Sequence, residues 1–126
     1  MKTLFRLVLI SFLTLPPVLQ AESRWYDESA VDKGSVLFKQ YCASCHGENA
    51  EKTVDWKKTD SNGKYPPPPL NGTAHAWHHS KELLKKTIRE GGAKLGGVMP
   101  AFEGQFSDRD LDDLVAYFQS KWPDDL

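Results

Sequence analysis

Apolar residues recur along three segments of this chain at the three- and four-residue spacings of a helix with one buried face, and nowhere with the alternation of a strand. From about Ser29 to Cys42, Val31, Gly34, Phe38 and Tyr41 fall on one side, with Leu37 beside them. Ser80 is a good N-cap for a second helix, which carries Leu83, Leu84 and Ile88 and stops at Gly91-Gly92. The third has the fullest set of signals. Ser107 and Asp110 form a capping box, Leu111, Leu114, Val115 and Phe118 follow the i, i+3, i+4, i+7 pattern, and Pro123 closes the helix. The fold class predicted is all-α, with three main helices. Between the first two lies a long irregular stretch, polar from Glu48 to Lys64 and then proline-rich from Pro66 to Pro69. Irregular chain has backbone groups to satisfy and needs something to pack on. A large apolar cofactor at the centre would supply it.

One apolar run stands apart from these helices. Lys2 and Arg6 precede Leu7 to Leu15, Pro16-Pro17 interrupts, and small Ala21 follows, which is the order of a secretory signal peptide. The run falls short of the roughly 20 residues that span a membrane. We expect residues 1–21 to be a cleaved signal peptide and residues 22–126 one domain exported to the periplasm, an uncleaved membrane anchor being the alternative. Losing Lys2 and Arg6 takes the formal charge from -1 to -3, and nothing in that balance suggests nucleic acid. The charges are unevenly spread, with 11 basic and 6 acidic residues from Lys33 to Lys94 against 2 and 7 from Leu95 onward. Such a split either orients the molecule toward a charged partner or is an ordinary solvated surface.

The chemistry concentrates in "YCASCHG", residues 41 to 47. A disulfide between Cys42 and Cys45 would close a very short loop, where the gain in chain entropy is least, and would leave His46 without a task. A thioredoxin-type redox pair would want a βαβ setting. Zinc would need two more ligands from His75, His78 and His79, again leaving His46 idle. Haem uses all three residues. On the last turn of a helix the i, i+3 spacing points both sulfurs to one edge of the macrocycle, and Cys-x-x-Cys-His is the attachment signature of c-type haem.

A sixth ligand follows by counting. Without Met1, Met99 is the only methionine left, in "GGVMPAF" at 96 to 102. Gly96 and Gly97 let backbone approach a flat ligand, Pro100 stiffens the segment, and a thioether suits haem iron. The rival is a bis-histidine site drawn from "HAWHH" at 75 to 79.

These features together resemble a class I monohaem cytochrome c of the bacterial periplasmic kind, from Gly34 to Trp122: the first helix, "CASCHG", the proline loop "PPLNG" at 68 to 72, the ligand loop and the last helix with Tyr117, Phe118 and Trp122. The resemblance implies one covalent haem c held by Cys42 and Cys45, with His46 and Met99 as the axial iron ligands. It further implies that the Pro68 carbonyl accepts from His46, that Leu70 packs on the haem, and that Gly34 and Phe38 meet Tyr117 where the first and last helices cross. A proline run supplies a rigid carbonyl, and ligand histidines nearly always have such a partner. The chain departs from many relatives in its charged segment 48–65, which carries Trp56. Trp77, Tyr65 and His78 are candidates to bond the haem propionates.

The function expected is electron transfer rather than catalysis, in a respiratory chain outside the cytoplasm. The chain is expected to be a monomer that meets redox protein donors and acceptors transiently. It would touch a membrane only through partners or an uncleaved anchor. Lys81, Lys85 and Lys86 are the candidates to steer docking. The alternative is a haem subunit, or a ligand-binding haem protein, within a larger oxidoreductase.

Overall fold

The computed structural model describes residues 24–126, so the signal-peptide expectation lies outside the described residues. Four helices follow in order, α1 (Glu28–Tyr41), α2 (Ala43–His46), α3 (Lys81–Glu90) and α4 (Asp108–Gln119), with 3-10 turns at His75–His78 and Ala93–Leu95. Among the described residues no strand forms, and the one ladder contact is an isolated bridge between Tyr65 and Gly97. The expected all-α class is therefore what the chain adopts.

Helix α1 starts at Glu28 because Asp27 caps it, its side chain accepting from the Ala30 amide at 2.8 Å. It stops at Tyr41, and the cysteine motif does not continue it. Cys42 caps it at φ -118°, ψ -35°, its amide still donating to the Phe38 carbonyl at 2.8 Å, and a separate short turn, α2, begins behind it. The first helix thus delivers the chain into the cysteine motif, as expected, and Cys45 and His46 lie on the short turn that follows. Helix α4 carries the full capping box, with Ser107 Oγ accepting from the Asp110 amide and the Asp110 carboxylate accepting from the Ser107 amide.

The core is built where α1 crosses α4. Phe38 from α1 and Leu111, Leu114 and Val115 from α4 are fully buried, each aliphatic side chain contributing about 1.5–3 kcal/mol of transfer free energy. Gly34 makes the crossing possible, since a Cβ at that position would lie 1.8 Å from the Asp113 carbonyl oxygen and 2.9 Å from Tyr117 Cβ. One turn on, the Phe38 and Tyr117 rings meet with centroids 4.9 Å apart. Helix α3 packs on α4 from another side, burying Leu84 and Ile88. The segment ahead of α1 is tied down as well, Trp25 Nε1 donating to Gln119 Oε1 at 2.7 Å.

Two long-range bonds fix the irregular middle to this frame. Tyr117 donates its hydroxyl hydrogen to the Glu48 carbonyl at 3.0 Å, and Trp122 Nε1 donates to the Leu70 carbonyl at 2.7 Å. Both aromatic side chains thus hold the loop that follows the cysteine motif.

Candidate functional site

The short turn α2 buries His46 while leaving Cys45 exposed and Cys42 half-buried. The Cys42 and Cys45 thiols are free. Burial, with Cys45 close by, pushes the Cys42 thiol up to about 11. The chain then doubles back: the Lys52 amide donates to the His46 carbonyl, the Thr53 amide to the Pro67 carbonyl and the Leu70 amide to the Ala50 carbonyl, each at 2.8 Å. This stitching lays the proline run beside the motif. His46 Nδ1 sits 2.9 Å from the Pro68 carbonyl oxygen, and since a carbonyl only accepts, Nδ1 carries the hydrogen. Burial favours the neutral ring, the Pro68 bond working against it, and the net effect lowers the His46 pKa. The free lone pair is then on Nε2.

His46 lines a cavity of about 350 Å³. Most of its wall is apolar, from Pro66, Pro67 and Leu70 on the loop to Leu84 and Ile88 on α3 and Phe118 on α4. Pro68 lies on this wall too, and so does Met99, half-buried and packed against the core. Met99 is presented by a tight loop at the end of α3, closed by Gly92 N–H to the Met99 carbonyl at 2.9 Å and Gly97 N–H to the Gly92 carbonyl at 2.9 Å. Gly91 must be glycine here: its φ is 75°, and a Cβ would come within 2.8 Å of the Met99 carbonyl oxygen. Gly97 lines the cavity, whereas Gly96 makes a left-handed turn and accepts from the Tyr65 amide at 2.9 Å. The six residues expected to serve a cofactor thus lie together: His46, Met99, Pro68 and Leu70 on one cavity, with Cys42 and Cys45 on the turn that delivers His46.

The other histidines divide. His75 and His79 line the cavity, but His78 does not; it stacks on Trp77 with ring centroids 3.5 Å apart. Trp77 is likewise absent from the wall, so of the propionate candidates only Tyr65 lines the cavity. Among the described residues no three His, Cys, Asp or Glu side chains gather into a metal-holding group, so these histidines do not complete a zinc site with the cysteines. Trp56 lines the cavity with its ring stacked on His75, centroids 4.6 Å apart. Burial, then His79, His78 and Lys57, lowers the His75 pKa.

Of the three lysines expected to steer docking, Lys85 is corrected. Lys85 is buried and bonds Asp108 at 2.9 Å and Asp112 at 2.8 Å, so it serves the α3–α4 contact and no partner. Lys81 pairs with Asp112 at 3.3 Å and lies over the Trp25 ring, and Lys86 stands 3.8 Å from Glu90. A signal for Lys85 was present: it adjoins Leu84 and precedes Ile88 by three, on the apolar face of α3.

A flat apolar macrocycle with two carboxylates fits this setting. The wall offers one free imidazole nitrogen, one thioether, a broad apolar lining and a few polar groups on one side. An all-α chain with a Cys-x-x-Cys-His turn on such a cavity is a domain of the cytochrome c type. The family model described as "Cytochrome C oxidase, cbb3-type, subunit III" matches residues 29–118, and the chain belongs to this family of c-type cytochrome domains. It is 31% identical over 100 residues to the Cbb3-type cytochrome c oxidase subunit CcoP of Azospirillum brasilense, covering 79% of this chain and 31% of that one. With the Cbb3-type subunit FixP of a Bradyrhizobium species it shares 30% identity over 75% of this chain and 28% of the relative. Cytochrome c6 of a Synechocystis species is 29% identical over 67% of this chain and 59% of its own length. The chain therefore spans about a third of the oxidase subunits it matches. No solved structure matches at a significant level. The coarse function of such a domain is haem-based electron transfer. No helix among the described residues is long and apolar enough to cross a membrane.

Proposed function

We propose that this chain is an exported electron carrier with one haem c, attached through thioethers at Cys42 and Cys45 and ligated by His46 and Met99. The observation that carries the reading is the pairing of His46 and Met99 on one apolar cavity, with His46 Nδ1 occupied by Pro68 and only Nε2 left to bind a metal. When bound, the haem supplies a reversible one-electron couple. The chain's part is to keep that couple simple. Pro68 holds the imidazole in one tautomer and one orientation. The closed loop 91–99 holds the Met99 side chain, so that neither ligand has to move as charge changes. Leu70, Leu84, Ile88 and Phe118 exclude water, which favours the less charged, reduced state and raises the potential.

Transient exchange with redox proteins in a respiratory chain, as a monomer, is the working mode this suggests. A second reading has one observation in its favour. Relatives named as oxidase subunits make a fixed place in a larger oxidoreductase the alternative, and the size of the native complex in mild detergent extracts separates the two.

The test is the absorption spectrum and mass of the protein from a host that attaches haem c. We expect one covalent haem and a weak far-red iron–sulfur band that Met99→Ala abolishes. A mass without porphyrin would refute the proposal, and a wild-type spectrum that lacks the band and is unchanged by the substitution would move the sixth ligand to His75 or His79.

A further inference from the structure

Residues 66–69 are four prolines, and a proline has no N–H to donate. Whatever fixes this run must therefore act at its ends or on its carbonyls. Ahead of it, the Tyr65 amide donates to the Gly96 carbonyl at 2.9 Å; behind it, the Leu70 amide donates to the Ala50 carbonyl at 2.8 Å. Within it, the Pro67 carbonyl accepts from the Thr53 amide and the Pro68 carbonyl from His46. Among the described residues only one side chain besides His46 bonds the backbone of 66–70. It is Trp122, whose Nε1 donates to the Leu70 carbonyl at 2.7 Å. The indole is itself well anchored. Trp122 is buried, its amide donates to the Gln119 carbonyl at 3.1 Å, and its carbonyl accepts from Arg24 Nη2 at 3.3 Å. The loop closes on the ring as well, since a Cβ at Gly72 would lie 3.3 Å from Trp122 Cδ1. Yet Trp122 is not part of the cavity wall.

We infer that Trp122 is a positioning residue for His46: by pinning Leu70 it sets where the Pro68 carbonyl stands, and so how firmly that carbonyl holds the Nδ1 hydrogen. The inference rests on the haem reading above. Pyrrolidine rings lock φ, which makes a proline run stiff, so a displacement at Leu70 reaches Pro68 two residues back instead of being absorbed between them. The Nδ1 bond matters to the iron because it makes the imidazole a stronger donor through Nε2. A stronger donor favours the ferric state, and slackening the bond raises the reduction potential. The turn behind α4 thus reaches the axial ligand through one indole, one carbonyl and a rigid run.

The experiment compares holoprotein carrying Trp122→Phe with holoprotein carrying Trp25→Phe. Trp25 is a matched control: its Nε1 also donates at 2.7 Å at the same end of α4, but to Gln119 and not to the proline loop. Proton NMR of the reduced protein follows solvent exchange of the His46 Nδ1 hydrogen, and spectroelectrochemistry gives the potential. Trp122→Phe is expected to speed that exchange about tenfold and to raise the potential, with the far-red band retained; Trp25→Phe should match wild type in both. Exchange unchanged in Trp122→Phe, or a potential unmoved or lowered, would overturn the inference. So would an equal change in Trp25→Phe, which would mean general loosening. In wild type, a Trp122 indole hydrogen that exchanges as fast as that of a free indole would overturn it whether or not any variant folds. A wild-type product without haem, or without the far-red band, would instead sink the reading beneath it and the inference with it.

Discussion

Gly34 stands where two helix backbones come closest. A methyl group there would lie 1.8 Å from a backbone oxygen of Asp113, an atom that moves only if α4 moves. Overpacking of this kind costs typically about 1–3 kcal/mol, and more when the neighbour is backbone. We expect Gly34→Ala to lower the unfolding free energy of the holoprotein, read from a denaturant titration, by at least that much while leaving the haem spectrum unchanged. A midpoint equal to wild type would mean that α1 and α4 cross less tightly than described. His46 makes the matching point for the site. Its side chain was legible from the motif, and its Pro68 partner was named from the resemblance, yet the bond itself depends on three backbone hydrogen bonds that fold residues 50–70 back onto α2.

At the scale of elements, the contact between α3 and α4 adds buried ion pairs to its apolar packing, and Lys85, a candidate for docking, lies inside it. Burial alone would lower the Lys85 pKa, but hydrogen bonds from its ammonium to Asp112 and Asp108 outweigh that and raise it. For Asp112, burial opposes ionisation, and bonds from Lys85 and Lys81 overcome it and lower the pKa. Asp108 is lowered chiefly by Lys85, and Asp110 by its capping partner Ser107. Carboxyls with depressed folded-state pKa values contribute stability that is present above their unfolded pKa of about 4 and lost as pH falls through the folded value. Lys85 acts with the opposite sign, its contribution disappearing only as pH rises past its raised value. Thermal melts should therefore show stability declining below about pH 4, with a shallower decline in Asp112→Asn. An acid limb identical in that variant would remove the cluster from the account.

For the whole molecule, the basic majority from Lys33 to Lys94 still has a path to function, through other residues than expected. Lys57 lies over the ring of Trp56 at 5.3 Å, and Lys64 precedes Tyr65; both rings line the cavity, and both lysines are exposed. An acidic redox partner approaching that side would be steered by them. The bimolecular rate with such a partner is expected to fall as salt is added, and Lys57→Glu with Lys64→Glu should slow it about tenfold at low ionic strength. A rate indifferent to salt in wild type would rule steering out.

Much of this protein was legible in its residues, for a physical reason. Helix signals are local: a cap, a three-to-four spacing and a terminating glycine act within a few residues, so α3 and α4 were placed at their caps and α1 within a residue of its ends. The attachment motif was as readable, because its chemistry demands fixed residues at fixed spacing. Segment 48–65 has no such period, and its course is set by bonds to α4 and to the Met99 loop far along the chain. The burial of Lys85 and the stacking of Trp56 on His75 were likewise decided only when distant segments met. What the sequence alone determined is the set of helices and the reactive motif. Tertiary structure decided which side chains face the cavity, since facing is a relation between segments and no single segment contains it.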